Sequence, residues 1–143
     1  MNSKALFVDT SGWCAVYDRS DQNHRQALAF WQKISATAGL LYTTDYVLDE
    51  TFTLLRVRIG HHFAVKFGQY ILDSKVVKII PITEQRWYEA WQLFARFKDQ
   101  DFSFTDCTSF VVMKEFKLQG VIGFDHHFRQ MGFATLPLQP PES

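Results

Sequence analysis

The chain has little of what holds very small domains together. Its 143 residues include two cysteines and four prolines. Cys14 and Cys107 form no C-x-x-C pair and are too few for a disulfide framework, so they read as reduced thiols. Long apolar runs are missing too. None approaches the roughly 20 residues of a membrane span, and Phe110-Val111-Val112-Met113 is typical of the short ones present. The opening stretch, Met1-Asn2-Ser3-Lys4-Ala5-Leu6-Phe7-Val8-Asp9, meets an acid before a signal-peptide apolar region can form. The expectation is a cytoplasmic protein with no membrane association. Net charge is absent as well, with 15 Lys+Arg against 15 Asp+Glu. Phosphate binders are commonly basic overall, so a zero total argues at first against a nucleic-acid partner.

What the chain does have is apolar mass. At 47% hydrophobic and 21% charged residues it is too apolar for intrinsic disorder. Its length suits one domain, which buries roughly two-thirds of its unfolded surface without a staple. There is no internal repeat, low-complexity block or linker. The domain is expected to span residues 1–136. Pro137, Pro140 and Pro141 make 137–143 a loose tail.

Hydrophobic periodicity alternates between two signatures. Ala5-Leu6-Phe7-Val8, Leu40-Leu41-Tyr42-Thr43, Val76-Val77-Lys78-Ile79-Ile80, Val121-Ile122-Gly123-Phe124 and Ala134-Thr135-Leu136 read as short strands. The first ends in what reads as a turn, Asp9-Thr10-Ser11-Gly12. Between the strands lie helical stripes. One is Ala27, Phe30, Trp31 and Ile34, and another is Val47, Leu48, Thr51, Leu54 and Leu55 behind a Thr44 or Asp45 cap. After Gly60 come Phe63, Phe67, Tyr70 and Ile71, and after Thr83 come Trp87, Ala90, Trp91 and Phe94. Ser103-Phe104-Thr105-Asp106 has capping-box form, opening a helix that runs toward Gly120. Short buried strands alternating with helices predict an α/β domain with a mainly parallel sheet.

In such sheets the functional crevice lies outside the carboxyl ends of the strands. Asp9 and Asp125 each follow a predicted strand, while Glu50 and Asp106 lie near helix starts. Each has a plain alternative. Asp9 and Asp125 suit strand-end turns, Asp106 a cap, and Glu50 a solvated helix surface, although its neighbour Leu48 makes partial burial of Glu50 expected. Together, four carboxylates on one sheet edge would repel unless a cation compensated them. Mg²⁺ or Mn²⁺ suits oxygen ligands and would activate water for attack on a phosphodiester.

Four segments carry a resemblance: Phe7-Val8-Asp9-Thr10-Ser11-Gly12-Trp13, Leu48-Asp49-Glu50, Ser103-Phe104-Thr105-Asp106-Cys107 and Gly123-Phe124-Asp125-His126-His127-Phe128. In this order they resemble a PIN domain, particularly the toxin nucleases of VapBC-type toxin–antitoxin pairs. The resemblance implies a three-layer α/β/α fold and a metal-dependent ribonuclease leaving a 5′-phosphate and a 3′-hydroxyl. It implies that Asp9, Asp106 and Asp125 hold Mg²⁺ or Mn²⁺, with Glu50 binding a metal water or second ion and orienting the nucleophile. Thr10, Ser11 and Thr105 are candidates to hydrogen-bond the ligand acids. A homodimer and an antitoxin whose tail fills the acidic groove are implied as well. PIN domains also occur in housekeeping RNA-processing nucleases, and a PIN-like RNA- or protein-binding module without nuclease activity is the alternative from another class.

Other features have plainer readings. Asp99 and Asp101 read as solvated loop residues. His61-His62 and His126-His127 lack partners at zinc-site spacing, although His126 or His127 is placed to meet a phosphate near Asp125. Arg56, Arg58, His61 and His62 suit either RNA backbone or a solvated helix end. The tryptophans Trp13, Trp31, Trp87 and Trp91 fit core stripes, and Phe63, Phe67, Tyr70 and Ile71 suit a buried face or a dimer contact. Ser11 stands where a D-x-D phosphatase needs Asp and interrupts the Asp-Thr-Gly of aspartic proteases. A receiver domain needs a phosphoacceptor where Pro81 ends the central strand. With the four proposed site acids set aside, 11 acidic residues remain against 15 basic ones, so neutrality does not exclude RNA.

Overall fold

The computed structural model describes residues 5–35 and 39–138. The apolar runs become strands β1 (Leu6–Val8), β2 (Leu41–Thr44), β3 (Val77–Ile80), β4 (Gly120–Ile122) and β5 (Ala134–Leu136). They pair in parallel in the order β3-β2-β1-β4-β5. Parallel neighbours need crossovers, and helices supply them. Helices α1 (Thr10–Tyr17) and α2 (His24–Ser35) lead to β2, and α3 (Asp45–Ile59) and α4 (His61–Asp73) lead to β3. Helices α5 (Glu84–Arg96) and α6 (Phe104–Glu115) lead to β4, and the short α7 (His127–Gln130) precedes β5. Successive strand residues face opposite sides, yet Phe7 and Val8, like Val121 and Ile122, are all 0% exposed. Both faces of the sheet are therefore covered, which makes the α/β/α layering.

Strand order positions the site. From β1 the chain winds outward to β3, then returns to the far side of β1 as β4. The winding direction therefore reverses between β1 and β4, where a crevice opens at the carboxyl ends. Phe7 pairs with Val121 and Val8 with Ile122. The Asp9 amide donates to the Ile122 carbonyl at 3.3 Å, so the exits of both strands are held side by side.

Beneath this edge the core is aromatic. The Trp13 ring meets Trp31 and Phe67 edge-on, each at 5.4 Å. Its Nε1–H donates to Thr43 Oγ1 at 3.2 Å, and the Thr43 hydroxyl donates to the Val8 carbonyl at 3.0 Å. The one polar handle of the largest core side chain is thus satisfied. Caps fix the helix starts: Thr44 accepts from the Val47 amide at 3.0 Å and Thr83 from the Arg86 amide at 3.3 Å. The expected α3 stripe is buried at Val47, Leu48, Thr51 and Leu55. Gly60 separates α3 from α4 at φ 102°, a left-handed value that favours glycine.

The structure departs from the sequence reading at several points. Asp9-Thr10-Ser11-Gly12 begins α1 rather than a turn. The same residue types serve turns and helix N-termini, and packing decides, because a Cβ at Gly12 would fall on the Ile122 carbonyl. Helix α6 stops at Glu115 instead of running toward Gly120, with Lys117 at φ 57°. Gly120 belongs to β4, where a Cβ would sit 2.7 Å from Leu6 Cδ2. Strand β4 ends at Ile122, two residues early, and α7 follows unforeseen. Trp13 and Trp31 are core, but Trp87 and Trp91 are 38% and 49% exposed. Only Ala90 of α5 is buried, so its aromatic row lies on the outer surface. The Pro-rich tail lies outside the described residues from 139 on, and Pro137 is buried.

Candidate active site

Asp9 leaves β1 as the N-cap of α1. Its Oδ1 accepts from the Gly12 amide at 3.0 Å and from the Ser11 hydroxyl at 2.9 Å. Ser11 Oγ in turn accepts from the Phe124 amide at 2.9 Å, tying α1 to the loop after β4. Gly123 completes the seat, since a Cβ there would collide with the Asp9 carboxylate.

Asp106 arrives on α6 through the anticipated capping box. The Asp106 amide donates to Ser103 Oγ at 2.9 Å, and Asp106 Oδ2 accepts from the Ser103 amide at 3.0 Å. Asp125 follows β4, its Oδ1 accepting from the His127 amide at 3.0 Å. Sequence reasoning gave His127 no part in holding the acids. Its Nδ1 lies 2.8 Å from Asp106 Oδ2 and 3.0 Å from Asp125 Oδ1, so the ring bridges the two. Phe102 packs edge-on against that ring at 5.6 Å. Asp125, His126 and His127 each bring a potential metal-donor atom within 4.8 Å of the others. The signal in the sequence was the two-residue offset from Asp125, but Asp106 is brought in only by the fold.

Glu50 projects from α3 and is exposed, not buried: it shares the cavity-facing row of the helix with Val47 and Leu54, and that row opens to solvent at Glu50. Its Oε1 accepts from the Thr10 hydroxyl at 2.6 Å. All four acids line one cavity of about 230 Å³, together with Thr10, Ser11, Thr105 and Ser109. Thr105 makes no side-chain hydrogen bond to an acid among the described residues. Arg58 lines the same cavity and pairs with Asp21 at 3.7 Å, so one member of the basic segment reaches the site. Asp99 and Asp101 are exposed and line no part of it.

One pattern recurs in all four carboxylates. A single oxygen is anchored, Oδ1 of Asp9 and Asp125, Oδ2 of Asp106 and Oε1 of Glu50. Among the described residues the second oxygen of each receives no hydrogen bond. Burial drives the Asp9 carboxyl up to about 7; the Gly12 amide and the Ser11 hydroxyl oppose this, while Asp125 and Asp106 add to it. Burial also raises Asp106, with the Ser103 amide and His127 acting against the rise and Asp125 for it. Anchored acids with open oxygens and a mutual repulsion are the donor chemistry that a hard divalent cation fits.

The chain matches the PIN domain family over residues 6–134. It is 36% identical over 131 residues to the 23S rRNA-specific endonuclease VapC20 of Mycobacterium tuberculosis, a match spanning 92% of this chain and 97% of that protein. The VapC ribonuclease of Archaeoglobus fulgidus is 32% identical over 126 residues, covering 87% and 79% respectively. The crystal structure of M. tuberculosis VapC20, a sarcin–ricin loop cleaving toxin, aligns with a TM-score of 0.83 at 35% identity over 90% of this chain and 96% of that one. VapBC2 from Rickettsia felis shares the fold alone, with a TM-score of 0.68 at 9% identity over 92% and 96% of the two chains.

Proposed function

The chain belongs to the PIN domain family, and from that premise we propose that it is a metal-dependent endoribonuclease acting as the toxin of a toxin–antitoxin pair. The observation that carries this reading is the gathering of Asp9, Glu50, Asp106 and Asp125 around one cavity at the β1/β4 switch, each with an oxygen left open. Asp9, Asp106 and Asp125 would hold Mg²⁺ or Mn²⁺, with Glu50 on a bound water or second ion. Such a cation, when bound, acidifies water and offsets charge on the phosphorus.

The chain's own residues do the rest. Ser11 and Gly12 aim Asp9, Ser103 and His127 aim Asp106, and Thr10 turns Glu50 so that its free oxygen can accept the proton of the attacking water. Arg58, which lines the same cavity, would meet a flanking RNA phosphate. The products carry a 5′-phosphate and a 3′-hydroxyl. The nuclease unit is a single domain, in keeping with a family match that runs from residue 6 to 134. It works as a homodimer, supported by the exposed row Trp87, Tyr88, Trp91 and Phe94. It is silenced by an antitoxin, a reading supported by its likeness to VapC20, which is described as a toxin.

The test is cleavage of RNA by the purified protein, starting with 23S rRNA because the VapC20 relative is named for it. Cutting with Mg²⁺ or Mn²⁺ and none after chelation is the expected result. RNA binding without cutting under either ion would overturn the enzyme reading in favour of a binding module. Expression should arrest growth, a neighbouring small protein should relieve the arrest, and Asp106→Asn should abolish it. Harmless expression of active enzyme would remove the toxin role.

A further inference from the structure

One buried group near the acids has no work in the arrangement described above. Ser109 is 1% exposed, lies one turn after Asp106 on α6 and lines the acid cavity. Its Oγ is a buried side-chain atom with no hydrogen-bond partner among the described residues. A serine inside a helix usually satisfies its hydroxyl on the carbonyl four residues back. Here that carbonyl, Thr105 O, already takes the Thr108 hydroxyl at 2.6 Å. Buried hydroxyls are normally paired, and one left open costs stability, so this one is free to meet a molecule that enters the cavity.

We propose that the Ser109 hydroxyl is a positioning group for a hydrated divalent cation, hydrogen-bonding a water in the ion's shell. This rests on the metal reading of the four acids and adds a residue that the family motifs did not single out in this chain. The chemistry fits. A small divalent ion keeps several of its waters when held by few carboxylates. Those waters need acceptors, and a neutral hydroxyl supplies one without adding charge to acids that already repel each other. The open oxygens of Asp9, Asp106 and Asp125 would hold the ion, and Ser109 would hold a water of its hydration shell from α6. Partners at this remove from a metal commonly matter 10- to 100-fold in affinity.

Mn²⁺ titration by calorimetry on the full chain, without RNA, tests this in the parent, Ser109→Ala and Thr108→Val. Thr108 is equally buried but its hydroxyl serves the helix backbone. The expected result is an Mn²⁺ dissociation constant raised roughly 10-fold in Ser109→Ala and unchanged in Thr108→Val. The metal-free melting temperature of Ser109→Ala should be equal to or above the parent's, because the unpaired hydroxyl is gone. A Ser109→Ala affinity within twofold of the parent overturns the role of Ser109 and leaves the acid site standing. A parent that binds no Mn²⁺ overturns both. A Ser109→Ala protein that melts lower without metal shows that the hydroxyl serves the fold, and overturns the proposal as well.

Discussion

Two helix starts, those of α1 and α6, deliver an acid to the same cavity by different means. At α1 the acid is itself the cap: Asp9 Oδ1 takes the Gly12 amide, and the residue is 6% exposed. At α6 the capping work is shared, because Ser103 takes the Asp106 amide while Asp106 Oδ2 takes the Ser103 amide. The first acid is sealed under the sheet edge and is driven up to about 7 by burial. The second also rises through burial, but it has the His127 ring at 2.8 Å as a counterweight. The acids of the proposed metal site are thus held by ordinary capping chemistry. On the proposed reading, how deeply each is sealed decides which one depends most on a cation.

The sharpest way to test that contrast is to neutralise each acid while keeping its cap. In Asp9→Asn the amide oxygen can still accept from Gly12 and Ser11, so the fold persists. Cleavage should fall by at least about 10³-fold, the scale on which a catalytic metal contributes. Without metal at pH 8, the same variant should melt higher than the parent, since a buried charge has been removed. Asp106→Asn should lose cleavage comparably and gain less stability. Equal gains at the two sites, read by thermal melts, would break the distinction drawn between them.

The pH dependence sharpens it next. A carboxyl whose folded-state pKa lies above its unfolded value binds protons in the folded state that the unfolded chain has released. For Asp9 that window runs from the ordinary aspartate value of 3.8 to about 7. Across it the metal-free protein should lose stability as pH rises, by on the order of 4 kcal/mol from this residue. Asp106 adds in the same direction. Denaturant melts of the metal-free parent from pH 4 to 8 should show the decline, and Asp9→Asn should flatten most of it. Mn²⁺ should restore stability chiefly at the high end. A flat parent profile would mean that Asp9 is not sealed as the fold implies.

How much of this could be read from the sequence follows the same division. The α6 start was legible because Ser103-x-x-Asp106 is a local signal whose two hydrogen bonds need only four residues. The α1 start was misread as a turn because Asp-Thr-Ser-Gly suits both, and the deciding contact, Gly12 on Ile122, spans more than a hundred residues. Strand identity was legible from apolar runs, but the exposure of Trp87 and Trp91 was not. A helical stripe reports which side chains share a face and not whether anything covers that face. Asp9, Glu50, Asp106 and Asp125 were placed by their positions after strands and at helix starts. His127 and Ser109 were not. The role of each is set by partners that only the fold brings near, or by the lack of one.

The smallest expected effect comes from separating cap from acid, which is possible at α6 and not at α1. Ser103→Ala removes the hydroxyl that takes the Asp106 amide but leaves the Asp106 carboxylate in place. The Ser103 amide and His127 still hold its Oδ2. Loss of such a cap costs about 1 kcal/mol of stability, and cleavage at saturating metal should stay near the parent rate. The matching change at the other helix, Ser11→Ala, should behave differently. The Ser11 hydroxyl donates a hydrogen bond to Asp9 and accepts one from the Phe124 amide, so it couples the acid to the β4 exit. Its loss should cost roughly 10-fold in metal affinity as well as stability. Melts and metal titrations of the two serine variants side by side decide the matter. If Ser103→Ala weakens metal binding as much as Ser11→Ala does, the α6 cap is as much a part of the site as the α1 cap, and burial is not what sets the two helix starts apart.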